Sequence, residues 1–137
     1  MDTKNNPLQQ PGSDFMAAAF EVYNEMGHGF TEDIYQGGLE DELMDRSIPF
    51  RSQPEVPIYY KTRRLRRKLR PDLIVFDDIV VEFKAVAALV PEHEAQLLNY
   101  LRAAKKPVGY LVNFGNTRRL EWKRFACTRK SAPISAD

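Results

Sequence analysis

The chain has 137 residues, a net charge of +1 and a single cysteine, Cys127. This length suits one domain that buries a core without cross-links, and a lone cysteine excludes a disulfide framework or a cysteine-built zinc site. No apolar run is long enough to span a bilayer and no basic, apolar leader opens the chain, so we expect a soluble cytoplasmic protein.

The charges are unevenly distributed along the chain. Residues 14–45 contain nine acidic side chains and no Lys or Arg, whereas residues 46–70 contain nine basic side chains against Glu55 alone. Residues 102–130 are again basic. This asymmetry predicts a positive face that can meet a polyanion, and the alternative is solvated surface whose charges balance in the fold.

The spacing of apolar residues predicts two helices in the N-terminal third. Residues 1–13 are polar with two prolines and are expected to form a disordered tail, so that Ser13 or Asp14 caps the first helix. The segment 27–29 would end that helix, and the second would start at Thr31. The expected inward faces are Phe15, Ala18, Ala19, Val22 and Met26 in the first helix and Tyr35, Leu39 and Leu43 in the second.

From residue 47 the periodicity changes to that of strands. The predicted strands are residues 55–60, 72–76, 79–83, 108–114 and 120–126, and a helix at 92–104 follows Val90-Pro91. The basic segment 61–70 is expected to hold a turn and the lead-in to the second strand. Residues 128–137 form a second expected tail, which leaves 14–127 as a single domain. The order ααβββαββ predicts an α/β fold with a central mixed sheet flanked by helices, because the third helix can carry a parallel crossover.

Three ionisable side chains interrupt two of these buried strands: Asp72, Glu82 and Lys84. Charged residues seldom lie in such runs unless they are paired or bind a metal. Glu82 and Lys84 are two residues apart and therefore share one face of their strand. Asp72 joins them on that face only if the connection between the strands has three residues, since a two-residue turn would put it opposite Phe83. A shared site therefore requires the three-residue connection or a bulge.

Two carboxylates that converge on a sheet form an oxygen-ligand site suited to Mg²⁺ or Mn²⁺. A lysine beside them can orient or help deprotonate a water molecule and can stabilise charge on a phosphate. Metal-assisted hydrolysis of a phosphodiester requires these groups. The alternative is a structural Glu82–Lys84 pair at a strand end, and the D…ExK pattern alone does not decide between the two.

Several motifs in order give the sequence a resemblance to a known family. "PD" at 71–72 and "EFK" at 82–84 match its name-giving residues, and "GFTEDIY" places Gly29, Glu32 and Tyr35 at GxxExxY spacing. "HEAQLLNYL" and "LVNFG" match its next helix and strand. Over residues 14–126 the sequence resembles the PD-(D/E)XK nuclease superfamily, and within it the small bacterial GxxExxY proteins.

The resemblance implies a restriction-endonuclease-like core and a deoxyribonuclease that depends on Mg²⁺ or Mn²⁺. It implies that Asp72 and Glu82 bind the metal and that Glu32, the acidic residue of an early helix, completes or supports the metal site. It implies that Lys84 acts on the attacking water. These four residues are the expected catalytic set.

The helix at 92–104 carries the expected substrate residues. Gln96 and Tyr100 resemble the QxxxY motif of RecB-type nucleases, which lines the site and positions the substrate strand. They share a helix face with His93, which we expect to be a capping or surface residue more often than a ligand. Two motif residues have other readings: Tyr35 could be a core residue, and Gly29 is assigned to backbone conformation.

The basic segment also suggests contact with substrate. Arg66, Arg67 and Lys68 are expected to follow a phosphate backbone, and Tyr59 or Tyr60 to offer a stacking surface. DNA is the expected partner, RNA is left open and no membrane contact is expected. A homo-oligomer is considered because so small a nuclease has little surface for substrate. The alternative function is a non-catalytic module that binds nucleic acid or protein on the same fold.

Overall fold

A computed structural model describes residues 8–127. Its elements in chain order are α1 (Gln9–Met26), α2 (Glu32–Asp45), β1 (Phe50–Ser52), β2 (Val56–Tyr60), β3 (Arg63–Leu69), β4 (Leu73–Val75), β5 (Ile79–Lys84), α3 (Pro91–Ala104), β6 (Val108–Asn113) and β7 (Glu121–Ala126). Five strands form one mixed sheet in the order β1-β4-β5-β6-β7, in which only β5 and β6 are parallel. The predicted α/β class with a central mixed sheet is confirmed.

Successive residues of the central strands point alternately into two apolar cores, one on each face of the sheet. Leu73, Val81 and Val112 face α1 and α2, and Tyr35, Leu39 and Leu43 are fully buried there, as predicted. The residues between them on the strands face α3. This second core contains Ile74, Val80 and Leu111 from the sheet, Leu97 and Leu101 from α3, and Val56 from β2. The even-numbered residues of β5, Glu82 and Lys84 included, therefore lie on the α3 side of the sheet.

The first helix begins at Gln9, so the expectation of a tail through residue 13 with a cap at Ser13 or Asp14 is wrong. Gly12 lies in this first turn against Tyr110, and a Cβ at this position would overlap the Tyr110 hydroxyl. Without that atom the helix approaches the sheet closely, and Gly12 is buried whereas Gln9, Gln10 and Ser13 are exposed. Residues 1–7 and 128–137, the rest of the expected tails, lie outside the described residues.

Two strands were not predicted, and the observed order is ααβββββαββ. The short strand β1 pairs antiparallel with β4 and forms an edge of the sheet. The basic segment is itself a strand, β3, which pairs with β2 in a separate two-stranded hairpin. Neither strand has an apolar alternation, since β1 has three residues and β3 is exposed at nearly every position. Neither could therefore be recognised from hydrophobic periodicity.

The chain leaves the five-stranded sheet after β1, forms the β2–β3 hairpin and returns to the sheet at β4. Its base packs on α3 through Val56 and Leu69. No helix within residues 8–127 is long and apolar enough to cross a membrane.

Candidate active site

The connection between β4 and β5 determines the geometry of the site. It has three residues, Phe76–Asp78, and the first two adopt left-handed backbone conformations, with φ of 53° and 65°. Val75 pairs with Ile79, and each preceding residue of β4 pairs with the following residue of β5. Continued by one position, this register sets Asp72 opposite Glu82. The three-residue connection that a shared site requires is therefore present.

Backbone hydrogen bonds hold the two carboxylates together. The N–H of Asp72 donates to Oε2 of Glu82 at 2.9 Å, and the N–H of Phe83 donates to Oδ2 of Asp72 at 2.7 Å. The second oxygen of each carboxylate accepts no hydrogen bond from another residue within 8–127. One oxygen of each carboxylate is thus fixed by a hydrogen bond, and the other remains available to bind a ligand.

Burial makes both carboxylates hard to ionise. The pKa of Glu82, which is 4 % exposed, is raised to about 8, first by burial and then by the charge of Asp72. The pKa of Asp72 is also raised, first by burial and further by the negative charge of Glu32, against the hydrogen bond from Phe83. Lys84 favours the charged form of both carboxylates but does not outweigh these effects. A further positive charge next to the pair would therefore favour ionisation of both carboxylates.

Lys84 is held in place by the predicted face of α3. Its Nζ donates to Oε1 of Gln96 at 3.0 Å, and Nε2 of Gln96 donates to the hydroxyl of Tyr100 at 3.4 Å. The pKa of Tyr100 is raised, first by burial and then by the charge of Glu82. The structure thus brings together Asp72, Glu82, Lys84, Gln96 and Tyr100.

Glu32 acts electrostatically on the carboxylate pair. It is the first residue of α2, it is exposed, and its charge raises the pKa of both Asp72 and Glu82. One turn later on α2, buried Gln36 donates through Nε2 to the backbone oxygen of Asp72 at 2.9 Å. Gln36 therefore ties the start of α2 to the β4 end of the site. It was not singled out from the sequence, and its i, i+4 spacing from Glu32 is the signal that was available.

Asn113 fixes the segment that follows Lys84, and it too was not singled out from the sequence. Its Oδ1 accepts from the N–H of Val86 and of Gly115, both at 3.0 Å. Its Nδ2 donates to the carbonyl of Val86 at 2.9 Å and to Oε1 of Glu121 at 3.0 Å. The side chain is fully buried with every polar capacity used. The end of β5 is thereby locked to the end of β6.

Three other sequence expectations have definite outcomes. His93 caps α3, because its Nδ1 accepts the N–H of Val90 at 3.1 Å. Tyr35 is a core residue whose ring stacks on Phe114 at 4.5 Å and whose hydroxyl donates to the carbonyl of Gly27. Gly29 has φ of 115°, a conformation that glycine adopts readily, which agrees with a backbone role. These residues shape the loop that leads to Glu32 and the start of α3.

The expected phosphate-binding residues lie on β3, outside the carboxylate cluster. Between Pro57↔Lys68 and Tyr59↔Arg64 the pairing is irregular, and β3 contains two more residues than β2. Arg66 and Arg67 lie in this bulge and are exposed. Lys68 is engaged with Glu55 at 3.0 Å, so its charge is partly neutralised at the surface. Contact of these three residues with a phosphate backbone stays a prediction.

The donor set fits a divalent cation in its chemistry. Asp72 and Glu82 offer two carboxylate oxygens without protein partners, and a cation between them would offset the repulsion that raises their pKa values. Within residues 8–127 no group of three or more His, Cys, Asp or Glu side chains is close enough to hold an ion by itself. Glu32 as a third ligand therefore stays a prediction, and the remaining positions of such an ion would fall to water or substrate.

The fold and site define the class of protein. The mixed sheet carries the Asp72–Glu82 carboxylate pair, Lys84 follows two residues after Glu82, and α3 lies beside them. The family model of the PD-(D/E)XK nuclease superfamily matches residues 9–125. The chain belongs to that superfamily.

Two solved structures are similar to this chain, and the first shows a shared fold. The crystal structure of SSO0001 is similar with a TM-score of 0.57 and 23 % identity, over 76 % of this chain and 55 % of that one. This chain thus spans about half the length of SSO0001. An alkaline exonuclease from Laribacter hongkongensis gives a TM-score of 0.48 and 12 % identity, over 86 % of this chain and 84 % of that one. No curated protein sequence gives a significant match.

Proposed function

We propose that the protein is a nuclease that hydrolyses phosphodiester bonds in DNA with the help of Mg²⁺ or Mn²⁺. The observation that carries the proposal is the buried Asp72–Glu82 pair with Lys84 held beside it by Gln96. Membership of the PD-(D/E)XK nuclease superfamily supports the same activity. The finer assignment to the GxxExxY group is part of the proposal and rests on the spacing of Gly29, Glu32 and Tyr35.

Each residue of the site has a role in this proposal. Asp72 and Glu82 hold the metal through their unpartnered oxygens, with Glu32 as a third or supporting carboxylate. The metal, when bound, supplies an acidic water and a positive charge beside the scissile phosphate. Lys84, steered by Gln96, directs its ammonium group at the attacking water and the phosphate oxygens. Tyr100 lines the same face of α3 and guides the substrate strand.

The β2–β3 hairpin provides the positive surface that a polyanion requires. Arg66 and Arg67 form no ion pair with a described residue, whereas Lys68 shares Glu55 with Arg70. The hairpin returns directly into Arg70-Pro71-Asp72, so its charges begin within two residues of the metal site. This continuity favours phosphate contacts that lead a strand into the site.

The test is a cleavage assay on a panel of single-stranded, duplex and end-bearing DNA with Mn²⁺ or Mg²⁺. We would purify wild type, Lys84→Ala and Lys106→Ala identically. Lys106 serves as the control because it has the same charge as Lys84 and follows the C-terminal end of α3. We expect cleavage by wild type and Lys106→Ala and none by Lys84→Ala.

Two outcomes would overturn the proposal. Equal cleavage by Lys84→Ala would show that the activity comes from a contaminant or from another site. DNA binding without cleavage by any variant would favour the non-catalytic module. Mn²⁺ binding separates the two functions further, because a nuclease should lose it in Glu82→Ala and a binding module has no need of it.

A further inference from the structure

A second concave site lies between the β2–β3 hairpin and the C-terminal half of α3. It is a pocket of about 330 Å³. The hairpin contributes Tyr59 and Leu69 among its lining residues, and α3 with its C-cap contributes Asn99, Arg102, Ala103 and Lys105. None of the residues expected from the sequence to bind substrate or metal lines this pocket, apart from Tyr59, one of the two candidate stacking residues.

The pocket continues the face of α3 that lines the active site. Asn99 and Ala103 lie about one turn beyond Gln96 and Tyr100, respectively, and Gln96 and Ala103 are about 10 Å apart along the helix. Tyr100, Leu69 and Ala103 pack against the same apolar cluster. A strand whose scissile phosphate lies at Lys84 can therefore reach this pocket with a nucleotide close to the cleavage point.

The lining residues have the chemistry of a nucleobase site. Tyr59 is 60 % exposed, and its ring makes no aromatic or cation–π contact within residues 8–127. Leu69 and Ala103 add apolar surface. The flat face of a base would stack on the Tyr59 ring, as bases of single strands do on exposed aromatic side chains.

The polar groups of the pocket suit the rest of a nucleotide. Nη1 of Arg102 donates to Oδ1 of Asn99 at 3.0 Å, which leaves the Nδ2 donor of Asn99 to face an acceptor on a base. Arg102 and Lys105 bring positive charge, and no Asp or Glu within residues 8–127 lines the pocket. The combination of aromatic face, amide donor and cations matches a base together with its phosphate.

We propose that this pocket binds an unpaired base of the substrate strand next to the scissile phosphate. A base that is paired in a continuous duplex cannot enter a pocket between a hairpin and a helix. The preferred substrate is therefore single-stranded DNA, or a duplex end that has opened. The inference rests on the proposed function in two respects, that the polyanion bound is DNA and that it is cleaved beside Lys84.

Neighbouring Tyr60 provides a matched control. It is similarly exposed, at 53 %, but it does not line the pocket. Its ring lies under Lys61 and Arg63, with the cations 5.4 and 5.8 Å from its centre. Removal of either tyrosine deletes one exposed ring of the hairpin, and only Tyr59 belongs to the proposed base site.

The experiment measures binding of a fluorescein-labelled single-stranded oligonucleotide by anisotropy in EDTA, so that cleavage does not interfere. We expect Tyr59→Ala to weaken binding about tenfold or more, the usual effect of losing one stacked base, and Tyr60→Ala to change it less than about twofold. A set of oligonucleotides with a single abasic residue at successive positions then locates the base. At one position the missing base should weaken binding to wild type and have no further effect on Tyr59→Ala.

The outcomes separate this inference from the proposed nuclease activity. Equal losses for Tyr59→Ala and Tyr60→Ala, or abasic effects that are the same in wild type and Tyr59→Ala, would overturn the base site. Absence of single-strand binding by wild type would overturn it as well. In these cases, cleavage that depends on Lys84 would still support the proposed nuclease activity. Conversely, base binding in the pocket of a protein that does not cleave DNA would support the base site and refute the nuclease activity.

Discussion

The backbone N–H of Asp72 donates a 2.9 Å hydrogen bond to the carboxylate of Glu82, so the acidic pair is built by the strand pairing itself. The reciprocal bond, from the N–H of Phe83 to Asp72, closes the same register. A shift of one residue between β4 and β5 would turn Glu82 to the opposite face of the sheet. The three-residue connection between these strands is therefore a determinant of the site as much as the acidic residues are.

The raised pKa of Glu82 should make the metal-free protein less stable as pH increases. Its folded-state pKa is about 8 and its ordinary value is 4.5, so the folded state binds the proton more tightly than the unfolded chain. The stabilisation from protonated Glu82 is complete below pH 4.5 and is lost between pH 4.5 and 8. In EDTA we expect the free energy of unfolding of wild type to fall by about 3–5 kcal/mol over this interval. Urea titrations at several pH values measure it.

Glu82→Gln is the control for this pH dependence, because it keeps the shape of the side chain and cannot ionise. The variant should be about as stable as wild type at a pH near the ordinary pKa of glutamate and more stable than wild type near pH 8. Mn²⁺ added at the higher pH should restore stability to wild type and have little effect on the variant, since a ligand stabilises only the state that binds it. Parallel stability curves for the two proteins would refute the assignment of the raised pKa.

Gln96 should act on catalysis through Lys84. Gln96→Ala removes the acceptor that holds Nζ of Lys84 at 3.0 Å, so the ammonium group would sample other positions. We expect single-turnover DNA cleavage to slow about 10- to 100-fold, as is typical of small misplacements of reacting groups, with little change in melting temperature. Tyr100→Phe should cost less than this, because the bond between Gln96 and the Tyr100 hydroxyl is long, at 3.4 Å.

The comparison for Gln96 is Glu92→Gln, a change at an exposed position in the first turn of the same helix. It should leave the cleavage rate within about twofold, since a surface substitution of this kind seldom affects the fold. A cleavage rate for Gln96→Ala equal to that of Glu92→Gln would mean that the Lys84–Gln96 contact has no part in the reaction.

Gln36 should position Glu32 relative to the proposed metal site. Gln36→Ala breaks the bond to the Asp72 carbonyl, which keeps a second donor in the N–H of Gln53, so the stability cost should be modest, about 1–2 kcal/mol. The start of α2 would then be free to move from the carboxylate pair. In a double-mutant cycle, Glu32→Gln should weaken Mn²⁺ binding in wild type and have a smaller effect in Gln36→Ala.

Asp41→Asn is the control for Glu32→Gln, because it removes one exposed charge from the same helix. It should affect Mn²⁺ binding equally in both backgrounds and only slightly, by long-range electrostatics. Calorimetric titration of Mn²⁺ measures all these variants. Additive effects of Glu32→Gln and Gln36→Ala would contradict the positioning role of Gln36.

Much of the site could be inferred from the sequence because its charged residues stand out against buried strands. Asp72, Glu82 and Lys84 are conspicuous in apolar runs, and Gln96 and Tyr100 share a helix face. The register was the undecided point, since the sequence permits two turn lengths. The left-handed conformations of Phe76 and Asp77 determine which turn forms, and a bulky residue such as Phe seldom adopts this conformation.

The residues that were missed have roles that exist only in the folded chain. Gln36 and Asn113 are buried amides that bond to backbone groups of segments distant in sequence, and neither carries a charge that would mark it. Strand β3 escaped detection because its basic residues give no apolar alternation, and its pairing with β2 holds it in place. Local patterns thus pointed to the candidate reacting groups, and the contacts that position them depend on the tertiary structure.

Gly115 should tolerate no side chain, and the consequence should reach the active site. A Cβ at this position would overlap the backbone of Ala85 and Val86, the segment that follows Lys84. We expect Gly115→Ala to lower the free energy of unfolding by about 1–3 kcal/mol, because neither backbone can move aside without breaking the Asn113 hydrogen bonds. Cleavage should fall as well, since Lys84 is tied to the displaced segment. Urea denaturation and the cleavage assay measure the two effects.

Gly37→Ala is the matched substitution at a glycine that has space. Gly37 lies inside α2, and a Cβ added there would meet no atom within 4 Å, so alanine should stabilise the protein by about 0.5–1 kcal/mol through its higher helix propensity. The opposite signs of the two glycine substitutions separate close backbone packing from a general effect of adding a methyl group. Stabilisation by Gly115→Ala would mean that the loops after β5 and β6 are not in close contact, and that Lys84 is positioned by other means.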